Sequence, residues 1–260
     1  MIQNNNLSCL PFWENINEQS HRRSYAFGDV YPLYVPYGYL LPFNVVVPSS
    51  VTAMTLSLFK KDGTPVSSTF PVYATIKQFT GFNVAYGAGG LGGITAEGQY
   101  YATLSGGGVT LYSDMFTVVA DITPYLKVEW WFDDDLVMDG AAVIGGLHNY
   151  VYLNSQLGKP EYEFEEEGEK RDGLFFPEKM ISEKTYKFQF LGNEPLCDVM
   201  RLVRMADHIK ITDRYSNVYT ADTFLMTPKW ETQGNIASVE AEFQTAIIAK
   251  RIGRSYTNLT

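Results

Sequence analysis

The chain has 260 residues, 45% of them hydrophobic, so it is long enough to bury a sizeable core and is not disordered over most of its length. A formal net charge of −9 argues against a function that depends on neutralising nucleic-acid phosphates. The high content of aromatic residues, with 18 Tyr and 16 Phe, favours strands and contact surfaces.

Residues 1–28 are polar and irregular, and they predict an N-terminal arm that becomes ordered against another surface. A β pattern follows over residues 29–124. Met54, Leu56 and Leu58 alternate along one face of a strand, and the turn sequence Lys60–Gly63 ends it. The residues therefore predict a β-sandwich domain.

The run from Gln99 to Ala120 predicts a hairpin that closes this sandwich. It resembles the last two strands of an immunoglobulin-like or fibronectin-like sandwich, in which a Tyr near a strand start anchors a corner through its hydroxyl. The cysteine pair of immunoglobulin domains is absent. The resemblance is therefore one of topology, and another small sandwich or a jelly roll stays an alternative.

Pro124 stops the preceding strand, so we place a domain boundary there and predict a second β domain over residues 125–260. Leu126–Phe132 and Tyr150–Asn154 are its first predicted strands. Residues 158–179 form a long, charged excursion with Leu174, Phe175 and Phe176 near its tip. We expect this excursion to be a functional or a disordered loop.

The sequence predicts one helix over residues 194–207, with Asn193 as its cap and Pro195 in its first turn. A stripe at helical spacing should be buried, while Arg201 and Arg204 face outward. The stripe consists of Leu196, Val199, Met200 and Val203. A hairpin from His208 to Trp230 and a last strand from Ile236 to Ile248 follow.

No motif in the chain carries recognisable chemistry. Asp133–Asp135 with Asp139 do not match the spacing of a calcium loop, and Gly87–Gly93 lacks the ending of a phosphate-binding loop. The Glu161–Glu169 run could supply paired carboxylates for glycoside cleavage, but a charge run is more typical of a solvated loop. We therefore predict no catalytic, cofactor or metal site.

The remaining polar candidates also have structural interpretations. His21, His148 and His208 lie in unrelated contexts without a nucleophile partner. Cys9 and Cys197 lack the spacing of metal ligands and are expected to be free thiols. A basic patch is conceivable from four cations of neighbouring segments, although a solvated face is the favoured interpretation. These cations are Arg201, Arg204, Lys210 and Arg214.

No apolar run approaches the roughly 18 to 20 residues of a membrane span, and residues 1–21 lack the pattern of a Sec signal. We expect a protein made in soluble form in a cytoplasm.

Tyrosines are dense over residues 31–43, where Tyr34, Tyr37 and Tyr39 are candidates for a glycan or protein contact. Sugar rings stack on aromatic faces, which a carbohydrate-binding function could use. Tyr is also enriched at protein interfaces. We favour the protein interface.

Four segments carry a further resemblance: Tyr150–Asn154, Tyr186–Gly192, Glu194–Asp213 and Phe224–Thr245. With the second half in the order of strand, charged loop, strand, helix, hairpin and strand, they resemble the tail-tube and distal-tail family of bacteriophages. They are also similar to proteins from phages and prophages of Bacteroidetes-type bacteria. The resemblance covers about half of the chain and rests on element order.

This resemblance implies a tail-tube-like β-sandwich or barrel with one flanking helix, which pairs side by side into a ring, usually six-fold, around a DNA channel. It implies that the Glu161–Lys179 excursion contacts neighbouring subunits. The implied interface residues are Glu166, Arg171, Leu174, Phe175 and Phe176.

The implied partners are further copies of the chain and other tail or neck proteins of the virion, with DNA passing an acidic lumen without specific binding. No membrane is involved. The chain is longer than a plain tube protein, which favours a distal-tail, baseplate or neck position. A carbohydrate-binding module or adhesin is the alternative function, and an enzyme such as a glycosidase has the least support.

Overall fold

The computed structural model describes residues 7–16, 33–66, 72–90, 94–138, 141–171, 173–230, 236–245 and 249–252. The strands up to the end of the first half are β1 Phe12–Trp13, β2 Tyr34–Pro36, β3 Tyr39–Pro48, β4 Thr55–Lys60, β5 Val72–Tyr73, β6 Thr75–Phe79, β7 Phe82–Gly90, β8 Gly98–Gly106, β9 Val109–Ser113 and β10 Phe116–Val119.

The second half contains the remaining elements. The strands are β11 Leu126–Trp131, β12 Leu136–Met138, β13 Ala141–Val143, β14 Asn149–Leu153, β15 Glu161–Arg171, β16 Leu174–Asn193, β17 His208–Thr212, β18 Val218–Trp230, β19 Ile236–Thr245 and β20 Ala249–Ile252. Helix α1 spans Glu194–Met200 and continues as a 3-10 helix over Arg201–Met205. Over the residues that the structure describes, the predicted fold class, mainly β with one flanking helix, is confirmed.

The first half is a β-sandwich. The sheet β3-β7-β6 packs on the part of the large sheet that contains β4, β8 and β9. Met54, Leu56 and Leu58 are buried between the sheets, as their alternation predicts. At the start of β8, the hydroxyl of Tyr100 donates a 3.0 Å hydrogen bond to the carbonyl of Ala96, which is the corner contact that the sequence predicts.

The two halves share one sheet and one core. β2 pairs in parallel with β10 of the first half and, through Tyr34 and Tyr152, with β14 of the second. A single cluster of buried side chains contains residues from both sides of Pro124. The predicted boundary at Pro124 lies between β10 and β11, and the division into an arm and two domains stays a prediction.

The predicted arm is described over residues 7–16, and this part packs within the protein itself. Leu10 and Phe12 are buried, and β1 pairs with β9. The indole Nε1 of Trp13 donates a 2.8 Å hydrogen bond to Asp114. His21 and the other residues 17–28 lie outside the described residues.

The second half is built on β11, β17, β18, β19 and β16, which are adjacent in the large sheet. Alternation places Tyr186, Phe188 and Phe190 of β16 on the inner face, together with Val239 and Phe243 of β19. Helix α1 contributes Leu196, Val199 and Met200 to the same core, and Asn193 caps it by accepting from the Leu196 amide at 3.1 Å.

The prediction of a charged loop over residues 158–179 is wrong. Residues 161–171 form strand β15, which pairs antiparallel with the distal part of β16 from Glu161–Thr185 to Arg171–Leu174. The reason lies in the residues themselves, because Tyr162 and Phe164 alternate with glutamates in the period of a strand. β20 pairs with the other edge of β16, at Lys179–Ser182. We call these three strands (β15, Leu174–Thr185 of β16, and β20) the ribbon.

The corner contact of Tyr100 gives a test of the sandwich. Tyr100→Phe should lower the free energy of unfolding by about 1 kcal/mol, because the side chain loses its hydrogen bond to the Ala96 carbonyl. Urea unfolding followed by fluorescence measures this change. Tyr73→Phe is the matched control, since Tyr73 is 66% exposed and the change should be neutral. Equal stability of the two variants would contradict the corner.

Candidate assembly surface

The ribbon extends beyond the core. Every β15 side chain whose exposure is described is exposed, namely residues 161–164 and 166–170. Its acidic character is strong, because Glu161–Arg171 contains six glutamates against one Lys and one Arg. The ribbon therefore presents a long, solvated surface to a potential partner.

Two aromatic side chains of β15 lie on the side of the ribbon that continues the core. Tyr162 is opposite Lys184 and Phe164 is opposite Ser182, and both of these β16 residues share a face with Tyr186. Within the core this face is buried, but Tyr162 is 58% exposed and Phe164 68% exposed. The hydrophobic face of the sheet thus runs on past the point where the protein covers it.

Lys184 connects the buried and exposed parts of this face. Its ammonium lies 4.9 Å from the ring centroid of Tyr186 and 5.7 Å from that of Tyr162. A hydrogen bond with Tyr186 raises the pKa of Lys184, so the side chain stays charged. Glu161 lies on the opposite face, where it pairs with Lys187 at 2.7 Å.

The interface residues implied by the family resemblance all lie on the ribbon. Glu166 is exposed on β15 opposite Met180. Arg171 is opposite Leu174 at the tip, next to the pair Lys170–Phe175. The side chains of Arg171, Leu174, Phe175 and Phe176 lie outside the described residues, so their role stays a prediction.

The outer face of β16, β19 and β18 carries a polar trough. Two adjoining depressions of about 340 and 950 Å³ share Lys187, Arg204, Leu225 and Glu242 in their lining. Cross-strand ion pairs and hydrogen bonds occupy much of this face, such as Lys229–Glu240 at 2.7 Å.

The predicted tyrosine contact is partly assembled by the fold. Tyr34 packs against Tyr125 in a tilted arrangement with ring centroids 4.8 Å apart, and it lies opposite Tyr152 across the β2–β14 pair. Burial is the largest cause that raises the pKa of Tyr152, and the nearby Tyr39 raises it further. Tyr39 is 49% exposed, and Tyr37 lies at the turn between β2 and β3.

Two histidines meet at one tryptophan, although the sequence shows no link between them. His148 and His208 stack on Trp131 with centroid distances of 4.4 and 4.7 Å. His208 lies directly opposite Trp131 on the neighbouring strand. The sequence alone does not give this strand register, and for that reason it does not predict the contact. Both faces of the indole are therefore occupied, which leaves no ring face for a sugar.

Glu129 contacts His148, one of the two histidines of this group. Its carboxylate accepts from Lys127 at 2.6 Å and contacts Nδ1 of His148 at 2.9 Å. Burial by itself would raise the pKa of Glu129, but the contacts with Lys127 and His148 outweigh it, and the pKa lies below its usual value.

The other candidates for chemistry are occupied by structural contacts. Asp135 pairs with Lys77 at 2.6 Å and accepts from the Gly145 amide, while Asp133 contacts His208 at 3.0 Å. Burial raises the pKa of the Cys197 thiol to about 11 and raises that of Cys9 as well. Within the described ranges, no group of three or more His, Cys, Asp or Glu residues could hold a metal ion.

The four cations considered for a basic patch have different neighbours. Arg201 pairs with Asp198 at 2.9 Å, Lys210 lies over Trp131, and Arg214 contacts Tyr215.

In the described part of the chain, no helix has the length and apolar character that crossing a membrane requires.

Comparison with known proteins adds little. No protein-family model and no curated protein matches the chain. Among solved structures, the chain is similar to one described as a Dpr2 Ig1-Ig2 complex with DIP-Theta Ig1-Ig3, at 8% identity over 86% of this chain and 90% of that one. The TM-score of 0.16 is too low to support an argument about fold or function.

The low pKa of Glu129 predicts a pH dependence of stability. Because the folded-state pKa lies below that of the unfolded chain, the contribution of Glu129 is present above about pH 4.3 and is lost as the pH falls through the folded-state pKa. Urea unfolding between pH 6 and pH 3 should therefore show a steeper loss for the wild type than for Glu129→Gln. Exposed Glu14 provides the control, Glu14→Gln, which should follow the wild type.

Proposed function

We propose that the protein is a non-enzymatic structural protein of a phage virion that self-assembles through its C-terminal β domain. The observation that carries this proposal is the exposed pair Tyr162 and Phe164, on a face that is core elsewhere in the same sheet. Adjacent exposed aromatics on an extended sheet are costly in water and typical of contact surfaces.

The shape of the ribbon supports assembly for a second reason. An isolated two-stranded hairpin is only marginally stable in water, and independent stability requires three or more strands with a hydrophobic face, or packing against a helix. A neighbouring subunit that packs on Tyr162 and Phe164 would bury this face and stabilise the ribbon. Such a contact joins an acidic, aromatic strand to another protein, and it requires no chemistry.

Assembly in a virion rests on the family resemblance of the second half. The proposed partners are further copies of the chain in a ring, six-fold by that resemblance, and other tail or neck proteins of the virion. DNA would pass through the lumen without specific binding, which the net charge of −9 supports because an acidic wall repels phosphates. The size of the chain favours a distal-tail, baseplate or neck position, with synthesis in the cytoplasm of the bacterial host.

The alternative function is a carbohydrate-binding module or adhesin. The observation that favours it is the aromatic group formed by Tyr34, Tyr39, Tyr125 and Tyr152, which the fold gathers from distant segments. Sugars stack on tyrosine faces. However, burial raises the pKa of Tyr34 and Tyr152, so these two rings are largely committed to packing.

The assembly proposal predicts the effect of removing the exposed aromatics. Tyr162→Ser with Phe164→Ser should lower the association constant at least about tenfold, because both side chains form the centre of the proposed contact. Sedimentation velocity over a concentration series measures it. The fold should be unchanged in circular dichroism, because both residues lie outside the core.

Two further variants make this test specific. Tyr73→Ser, at an equally exposed tyrosine of the first half, should assemble like the wild type. Phe175→Ser with Phe176→Ser tests the tip of the hairpin, where the resemblance implies an apolar anchor, and should also reduce assembly. Wild-type protein that stays monomeric at every concentration would contradict the proposal.

The two function classes differ in their response to sugars. We expect no binding on a glycan array and no sugar release in a hydrolase screen. Binding that disappears in Tyr34→Ala and Tyr37→Ala variants would establish the carbohydrate-binding alternative. Sugar release that is lost on Glu165→Gln or Glu166→Gln would establish an enzyme and overturn the structural proposal.

A further inference from the structure

The two edges of the ribbon carry opposite charge. β15 forms one edge and β20 the other, with β16 between them. In the described part of the chain, neither β15 nor β20 pairs with a second strand. The β15 edge is rich in glutamate, whereas β20 has the sequence Ala-Lys-Arg-Ile and contains no acidic residue.

The charged residues of the two edges lie at the same level along the ribbon. β16 residue Ile181 pairs with Glu165 on one side and Lys250 on the other, and Met180 pairs with Glu166 and Arg251. Two copies placed side by side without any shift would therefore bring Glu165 and Glu166 of one copy level with Lys250 and Arg251 of the next. Opposite charges at directly facing strand positions stabilise pairing.

The directions of the strands also allow this side-by-side contact to repeat from one copy to the next. β15 and β20 both run antiparallel to β16, so they run parallel to each other. Copies related by the rotation of a ring would keep their ribbons in the same direction, and β15 of one copy would meet β20 of the next in parallel pairing, which is an ordinary sheet geometry.

A two-fold dimer would place like charges against each other, whereas the side-by-side arrangement pairs opposite charges. A two-fold axis relates each surface to itself, so it would place β15 against β15 or β20 against β20. In the first case glutamates face glutamates, and in the second Lys250 and Arg251 face cations. Like charges directly opposite each other destabilise a strand pair.

We propose that copies of this chain associate head to tail by pairing the acidic β15 edge of one copy with the basic β20 edge of the next. This inference rests on the proposed self-assembly and identifies the two surfaces that meet. The occupant of each edge is a second copy of the chain, because the complementary charges lie level on the same ribbon. The contact is heterologous, so it propagates until a ring closes.

Charge reversal on each edge tests the pairing. One full-length variant carries Lys250→Glu and Arg251→Glu, and the other carries Glu165→Lys and Glu166→Lys. Each should associate with itself at least about tenfold more weakly than the wild type in sedimentation velocity, because the positions that face each other in the pairing then carry charges of the same sign. Lys60→Glu with Lys61→Glu, at the end of β4 and in the turn that follows it, is the control and should assemble normally.

Mixing the two charge-reversed variants shows whether a loss of assembly comes from lost edge pairing or from lost folding. An equimolar mixture of the two reversed variants should restore assembly, with both proteins in the complex by native mass spectrometry. A protein that carries all four changes should assemble by itself, and each association should weaken as salt increases.

The outcomes that overturn the pairing are distinct from those that overturn assembly itself. Assembly of the wild type that is unaffected by charge reversal, reversed variants that fold but do not recover on mixing, or a closed two-fold dimer would each overturn the edge pairing while self-assembly stands. A wild type that is monomeric at every concentration would overturn self-assembly and the pairing with it.

Discussion

Strand β16 is the constraint on which the second half depends, because a single strand spans Leu174–Asn193 and its pairing register is continuous from Lys179 to Asn193. Its C-terminal part places Tyr186, Phe188 and Phe190 in the core, where Tyr186 stacks on Phe243 with centroids 5.3 Å apart. A slip of one residue would bury Lys187 and Gln189 instead. Packing of the aromatics therefore fixes the register, and the register decides which β15 side chains share the core-facing side.

The exposure of Tyr162 and Phe164 follows from that register and from the length of the elements that cover it. Helix α1 has only seven residues and lies over the proximal part of the sheet, where Cys197 approaches Gly192. The ribbon extends past this cover, so the same face changes from buried to exposed, and there Lys184 and Ser182 of β16 lie opposite the exposed Tyr162 and Phe164 of β15. Tyr162 and Phe164 are therefore open to another surface.

Local patterns in the sequence predict the elements whose signals are themselves local. Asn193 and Pro195 mark the helix start, Met54, Leu56 and Leu58 mark a strand with one buried face, and Tyr100 forms the expected corner. Non-local pairings could not be predicted in this way. The link of Tyr34 to Tyr152 and the meeting of His148 and His208 at Trp131 depend on register between strands far apart in the chain.

The ribbon was missed for a different reason, since its signal is local but ambiguous. In residues 161–165, Glu-Tyr-Glu-Phe-Glu is both a charge run and a period-two pattern, and charge usually indicates a solvated loop. The two meanings are compatible when the strand lies at a sheet edge. Charged side chains on an edge strand oppose uncontrolled pairing with other strands.

The glutamates of β15 can therefore protect the exposed aromatics while the protein is a monomer. Repulsion between identical acidic edges disfavours the aggregation that Tyr162 and Phe164 would otherwise promote, and it leaves pairing open to an edge of opposite charge. Selectivity then comes from the arrangement that is penalised as much as from the one that is stabilised. A strand that is acidic along its edge and aromatic on one face suits a protein that must stay soluble until it meets its correct neighbour.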